Sequence, residues 1–162
     1  MPNAKLRVSF DANVLIAGAR LPRWPFEVMR SAFTGAFDLV LAEQVIIEAR
    51  RHAGDPQQSS VIEAFLASGV HEELPMPTAN HVRENADLVR SERDVPIALA
   101  LLDGEVDIFV TNDRDFTDPG ATADRFRRRV RIMLVAPFLK DVLGWSSEAL
   151  EEIRNRSWSD LA

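Results

Sequence analysis

The chain has 162 residues, 46% hydrophobic and 27% charged, the balance of an ordinary globular protein long enough to bury its own core. It has no cysteine, which excludes disulfides, zinc–thiolate sites and thiol catalysis. A net charge of −6 argues against a broadly basic surface yet leaves room for a local basic patch. No apolar run approaches the ~18 residues that span a bilayer. Met1–Lys5 carries no cationic leader before an apolar run, so a cytoplasmic protein with no membrane partner is expected.

In chain order, Leu6-Arg7-Val8-Ser9-Phe10 alternates apolar and polar and breaks at Asp11-Ala12-Asn13, which predicts a first strand ending at Asp11. Phe26, Met29 and Phe33 recur at helical spacing, and residues 37–41 read as a second strand. A helix from about Glu43 to His52 turns Val45, Ile46 and Ala49 to one side, with Gly54 marking its end. Asp55-Pro56-Gln57-Gln58 is a helix start: a capping Asp, Pro at the first helical position, Gln three residues after the Asp. Val61, Ile62, Phe65 and Leu66 form that helix's buried face, and Gly69 ends it. Residues 70–74 predict a third strand. Thr78 caps a further helix, expected to carry Val82, Ala86 and Val89 inward. Asp94 caps another, with Pro96 in its first turn and Ile97, Leu101 and Leu102 facing the core. Val106–Thr111 is the strongest strand pattern and stops at Asn112-Asp113. After an irregular loop, 130–135 gives a fifth strand, and Pro137 and Ser147 open two short closing helices. Strands alternating with helices predict one domain over 1–162, a three-layer α/β/α fold on a five-stranded, mainly parallel sheet.

In an open α/β sheet, functional groups sit beyond the C-terminal ends of strands. Two strands here end in acid, at Asp11 and at Asp113 with Asp115 close behind; Asp94 stands at a helix start and Glu48 lies within a helix. Two like charges ~4 Å apart repel by about 4 kcal/mol at an effective dielectric near 20. Converging acids therefore call for a cation or for protons. Oxygen-only donors select a hard metal, magnesium or manganese, and such an ion can activate water against a phosphodiester. Each acid also has a plainer reading: a turn at Asp11, a cap at Asp94, a solvated helix position at Glu48, a strand end at Asp113 and Asp115. Their joint placement is what points to a site.

Val8-Ser9-Phe10-Asp11-Ala12-Asn13-Val14-Leu15-Ile16 resembles the first motif of the PIN-domain family, an Asp followed two residues later by Asn, Ser or Thr. Glu48 in Val45-Ile46-Ile47-Glu48-Ala49-Arg50-Arg51 matches the family's helix Glu. Asp94-Val95-Pro96-Ile97-Ala98-Leu99-Ala100 resembles its third acidic position, and Val110-Thr111-Asn112-Asp113-Arg114-Asp115-Phe116 its fourth. The resemblance covers most of the chain and is nearest to bacterial PIN proteins that act as toxins of toxin–antitoxin pairs. It implies metal-dependent endoribonuclease activity. Asp11 and Asp113 would then be the principal ligands of Mg2+ or Mn2+, with Asp94 completing the site. Glu48 would hold a metal-bound water or a second ion, and Asn13, Thr111 and Asp115 would orient ligands. RNA and an antitoxin protein would be the partners.

The arginines at 125–131, with Arg127, Arg128 and Arg129 at their centre, read either as a phosphate-binding strip or as the solvated side of an edge strand. Arg20 and Arg23 are further RNA-binding candidates beside Trp24, which reads as a base-stacking residue or a loop anchor. His52, His71 and His81 lack ligand spacing and are expected at the surface. Trp145 and Trp158 suit a homodimer or partner interface, or packing of the C-terminal helices. Two phosphotransfer folds also place Asp after a first strand. The haloacid-dehalogenase kind wants a second Asp where Asn13 stands. The receiver kind wants a Lys beyond a late strand, where Lys140 instead falls in a predicted helix. A non-catalytic RNA- or protein-binding module on the same fold is the remaining alternative.

Overall fold

The computed structural model describes residues 5–161. Residues 1–4, on which the expectation about a leader rests, and residue 162 lie outside that range. Five strands, β1 (Arg7–Phe10), β2 (Asp38–Ala42), β3 (His71–Leu74), β4 (Ile108–Val110) and β5 (Arg131–Met133), form one sheet in the order β3-β2-β1-β4-β5. Every neighbouring pair is parallel. Parallel strands need crossovers that cover both faces, so the central ones are buried on both. Val8, Ser9 and Phe10 are all fully buried, as are Phe109 and Val110. The edges differ: β3, His-Glu-Glu-Leu, and β5, which begins at exposed Arg131, keep polar groups toward water.

The helices are α1 (Ala12–Arg20), α2 (Trp24–Ser31), α3 (Glu43–His52), α4 (Pro56–Ala67), α5 (Ala79–Glu84), α6 (Val95–Asp103), the one-turn α7 (Arg114–Thr117), α8 (Asp124–Arg127) and α9 (Val135–Pro137), and α10 (Ser147–Glu152). The α4 start forms as its sequence predicts: the Asp55 side chain accepts from Gln58 N–H at 2.8 Å. A continuous apolar core joins the sheet to its helices, with edge-to-face aromatic pairs such as Phe109–Phe116 at 4.9 Å.

Several elements depart from expectation. The break read at Asp11-Ala12-Asn13 is a helix start, and α1 occupies residues for which the sequence pattern gives no element. Its buried residues Val14, Leu15, Gly18 and Ala19 share one helix face, but apolar Ile16 and Ala17 occupy the other, so no apolar stripe stands out in the sequence. The helix capped by Thr78 ends at Glu84; Ala86 is exposed, while Val89 lies in an isolated bridge with Thr122. β5 stops at Met133, and Val135 rather than Pro137 begins the next turn, which continues as a π-helical segment at Phe138–Val142. The loop after β4 holds α7 and α8. The C-terminal tryptophans serve the chain itself: Trp158 donates to Arg20 O at 3.0 Å and packs edge-on against Phe26, and Trp145 is partly buried on the core.

The chain starts in the middle of the sheet, builds outward through β2 and β3, then crosses back to β4 and β5. The connections leaving β1 and β4 therefore diverge, and a crevice opens at their C-terminal ends.

Candidate metal and active site

Register places Phe10 beside Val110, so Asp11 and Thr111 emerge together at the mouth of that crevice. Asp11 N–H donates to Val110 O at 2.9 Å. As N-cap of α1, Asp11 accepts from Ala12 N–H on Oδ1 at 2.8 Å, at the positive end of the helix. Its Oδ2 accepts from Thr111 Oγ1 at 2.6 Å and from Asn13 Nδ2 at 3.3 Å. Thr111 Oγ1 in turn accepts from Asp113 N–H at 3.0 Å, and the Asp113 carboxylate accepts from Asp115 N–H at 2.9 Å. One chain of hydrogen bonds thus fixes the two strand-end acids and engages Asn13 and Thr111 as orienting groups.

Asp94 closes a single 3-10 turn, Glu92–Asp94, just before α6. The expectation that it caps α6 with its side chain does not hold: its backbone is already helical and the side chain makes no capping bond. The residue is instead buried, 7% exposed, and its Oδ2 has no hydrogen-bond partner among the described residues. Glu48, half-buried on α3, accepts from Gln44 Nε2 at 3.2 Å. Asp11, Glu48, Asp94 and Asp113 line one cleft, together with Asn13, Gln44, Arg51, His52 and Arg93. Carboxylate oxygens of Asp94, Asp113 and Asp115 lie within 4.8 Å of one another. Asp115 thus stands closer to the acids than an orienting role requires, although Arg90 also holds it at 2.9 Å.

Burial and mutual repulsion show in the acidities. Desolvation raises Asp11 to about 6 against the hydrogen bonds from Thr111 and Ala12, with repulsion from Asp113 and Glu48 adding to it. Asp94 is raised to about 7, first by desolvation and then by the charges of Asp11 and Asp113. Both acids therefore hold a proton to higher pH than a free carboxyl does.

The expected arginines are not brought to the cleft. Arg127 is engaged by Asp124 and Thr122, and Arg129 lines a hollow with Glu105 and Asp107. Arg128 and Arg129 lie before Val130 and β5, whose Arg131 N–H donates to Asp107 O, the residue before β4. With parallel strands rising about 3.3 Å per residue, that edge lies roughly 13 Å from the Thr111 end. Arg20 closes α1, about 12 Å along the helix from Ala12. Arg23 donates to Arg156 O at 3.1 Å, and half-buried Trp24 donates to Leu150 O at 2.8 Å, the loop-anchor arrangement. His71 is half-buried rather than a surface residue, and its Nδ1 is enclosed without a partner among the described residues.

Sequence reasoning missed Gln44, Arg51, His52 and Arg93. A signal existed for three of them: Gln44, Arg51 and His52 fall at −4, +3 and +4 from Glu48, the spacing that shares one helix face. Among the described residues neither Arg51 nor Arg93 has a carboxylate partner, whereas Arg50 pairs with Glu63, Arg90 with Asp115, and Arg125 with Asp87.

No family model matches the sequence, and no curated protein is similar to it in sequence. Among solved structures, the crystal structure of PAE2754 from Pyrobaculum aerophilum is similar, with a TM-score of 0.55 and 16% identity over 86% of this chain and 97% of that one. At that identity the likeness is one of fold: a three-layer α/β/α arrangement on a five-stranded, all-parallel sheet.

Proposed function

We propose that this protein is a metal-dependent endoribonuclease of the PIN-domain kind, acting as the toxin of a toxin–antitoxin pair, with its site in the crevice between β1 and β4. The observation that carries the reading is the buried, unpartnered Oδ2 of Asp94 in a cleft shared with Asp11, Asp113 and Glu48. A desolvated carboxylate oxygen with no donor is costly unless a cation or a proton meets it. The donor set is all oxygen, which suits Mg2+ or Mn2+.

Asp11, Asp94 and Asp113 would hold the ion, with Glu48 and Asp115 at its margins. When bound, it supplies positive charge that offsets the repulsion among the acids and stabilises charge developing on a phosphodiester. The chain's own groups do the rest. Thr111 and Asn13 fix the Asp11 oxygens, and Thr111 also fixes Asp113 through its amide. Glu48, steadied by Gln44, faces the cleft as an acceptor for the attacking water's proton. Arg51 and Arg93, without a carboxylate partner among the described residues and on the same cleft, offer guanidinium contacts to phosphate oxygens and reconcile a chain of net charge −6 with a polyanion.

The test is cleavage of an RNA panel with and without Mg2+ or Mn2+, by the parent and by Asp11→Asn, Asp94→Asn and Asp113→Asn. Each substitution is expected to lower metal-dependent cleavage at least a hundredfold while circular dichroism stays native. Parental cleavage by the triple variant removes the site assignment. A folded parent that binds RNA but cleaves nothing on the panel favours the non-catalytic module.

A further inference from the structure

A second cleft, about 410 Å³, opens beside the acids, within the range of ordinary small-ligand clefts. Apolar Trp24, Pro25, Leu134 and Pro137 line it, together with the cationic Arg23 and Arg154. The geometry points to a binding site for one unstacked nucleobase of single-stranded RNA, next to the phosphodiester held at the acids. This inference rests on the nuclease reading and deepens it by adding a base-binding cleft beside the acid site.

Three features favour a base over another apolar ligand. The Trp24 indole is held in place by its bond to Leu150 O at 2.8 Å, so it offers a fixed aromatic face. Base–aromatic stacking suits such a platform because every base has a π-face. Leu134, an apolar side chain left 45% exposed, stands in the same cleft, where a stacked base would cover it. The lining also carries positive charge: Arg23 has no carboxylate partner among the described residues, and Arg154 meets only exposed Glu151 at 3.5 Å. An anionic backbone entering with its base would be attracted there.

Asn112 joins the two clefts. Its N–H donates to Asn13 Oδ1 at 3.4 Å on the acid side, and its own Oδ1 accepts from Val135 N–H at 3.3 Å on the apolar side. The side-chain NH2 remains to donate to a base carbonyl or ring nitrogen. Asn112 and Asp113 are consecutive, with Cα atoms about 3.8 Å apart, so a nucleotide flanking the reacting phosphate reaches the apolar cleft. A base paired in a duplex cannot leave its stack without cost, so single strands are preferred.

The experiment measures binding of a fluorescent six-nucleotide RNA in Ca2+ by anisotropy, using the intact strand and a set carrying one abasic position each. Leu134→Glu is the main variant, because the side chain is exposed and its replacement leaves the core untouched. Trp24→Phe keeps an aromatic ring but loses the anchoring bond. For the parent, one abasic position is expected to weaken binding about five- to hundredfold, the range of one stacked base. Leu134→Glu should weaken the intact strand by a similar factor and the strand abasic at that position hardly at all, and Trp24→Phe should fall between. Equal affinity of parent and Leu134→Glu for the intact strand overturns the base site and leaves the acid site standing. Equal weakening of intact and abasic strands also overturns it, since the added charge alone then explains the loss. A parent that binds neither strand overturns both the base site and the nuclease reading.

Discussion

At Thr111 one hydroxyl serves two acids, donating to Asp11 Oδ2 at 2.6 Å and accepting from the Asp113 amide at 3.0 Å. Both bonds lie at a fully buried position, where an unmatched polar group costs about 1–3 kcal/mol. Thr111→Val keeps the shape and removes the hydroxyl. It is expected to lower stability by about 1–3 kcal/mol in chelator and to weaken manganese binding, while Thr111→Ser restores most of both. Urea unfolding and manganese titration check this, and a valine variant with parental manganese affinity would count against Thr111 as an orienting group. At this scale the sequence showed residue types well and contacts poorly. Asp11, Asp94 and Asp113 were legible because acids at strand ends and helix starts follow a rule. Arg93 was not, since a basic side chain beside an acid reads locally as a solvated position, and Arg51 and His52 carried only their helical spacing to Glu48.

Helix α1 was illegible because Asp11-Ala12-Asn13 reads locally as a turn, and only the packed helix that follows shows that Asp11 caps it. What holds α1 where it points Asp11 and Asn13 into the crevice is its crossing with α2 at Gly18. A Cβ there would stand 2.4 Å from Met29 Sδ and 3.1 Å from the Phe26 nitrogen. Gly18→Val is therefore expected to destabilise the fold by about 1–3 kcal/mol through overpacking. It should also disturb the Trp24 end of α2, seen as a shift in tryptophan emission. Unchanged denaturation midpoints would mean the two helices separate more easily than this packing implies. The arginine strip carries the same lesson: its residues were readable, but only the parallel pairing of β5 with β4 puts them at the far edge of the sheet.

Across the whole molecule, the acid cluster couples stability to pH and, on the proposed reading, to divalent ions. Asp11 at about 6 and Asp94 at about 7 both lie above the ~3.9 of an unfolded Asp. Folding therefore favours their protonated forms: their contribution is complete below about pH 4 and is lost as pH rises through 6 and 7. In chelator the melting temperature should fall between pH 5 and 8, and that slope should flatten in Asp94→Asn. A cation competes with those protons, so manganese should raise the melting temperature more at pH 8 than at pH 5. Thermal denaturation across that range checks both, and a manganese gain independent of pH would separate the ion from these acids.

By itself the sequence determined the layered α/β class and the parallel strands, and it named the four acids, Asp11, Glu48, Asp94 and Asp113, that line the cleft, because hydrophobic periodicity and strand-end chemistry are written in neighbouring residues. The tertiary structure alone decided that β4 returns beside β1, and from that everything at the site follows. The strand order brings Asp113 to Asp11, leaves Asp94 Oδ2 buried without a partner among the described residues, and sets Arg51 and Arg93 rather than Arg127–Arg129 at the cleft. Such proximities join residues up to a hundred positions apart, as Thr111 and Asp11 are. Local patterns cannot carry them, because they depend on which strands pair and on where each crossover lands.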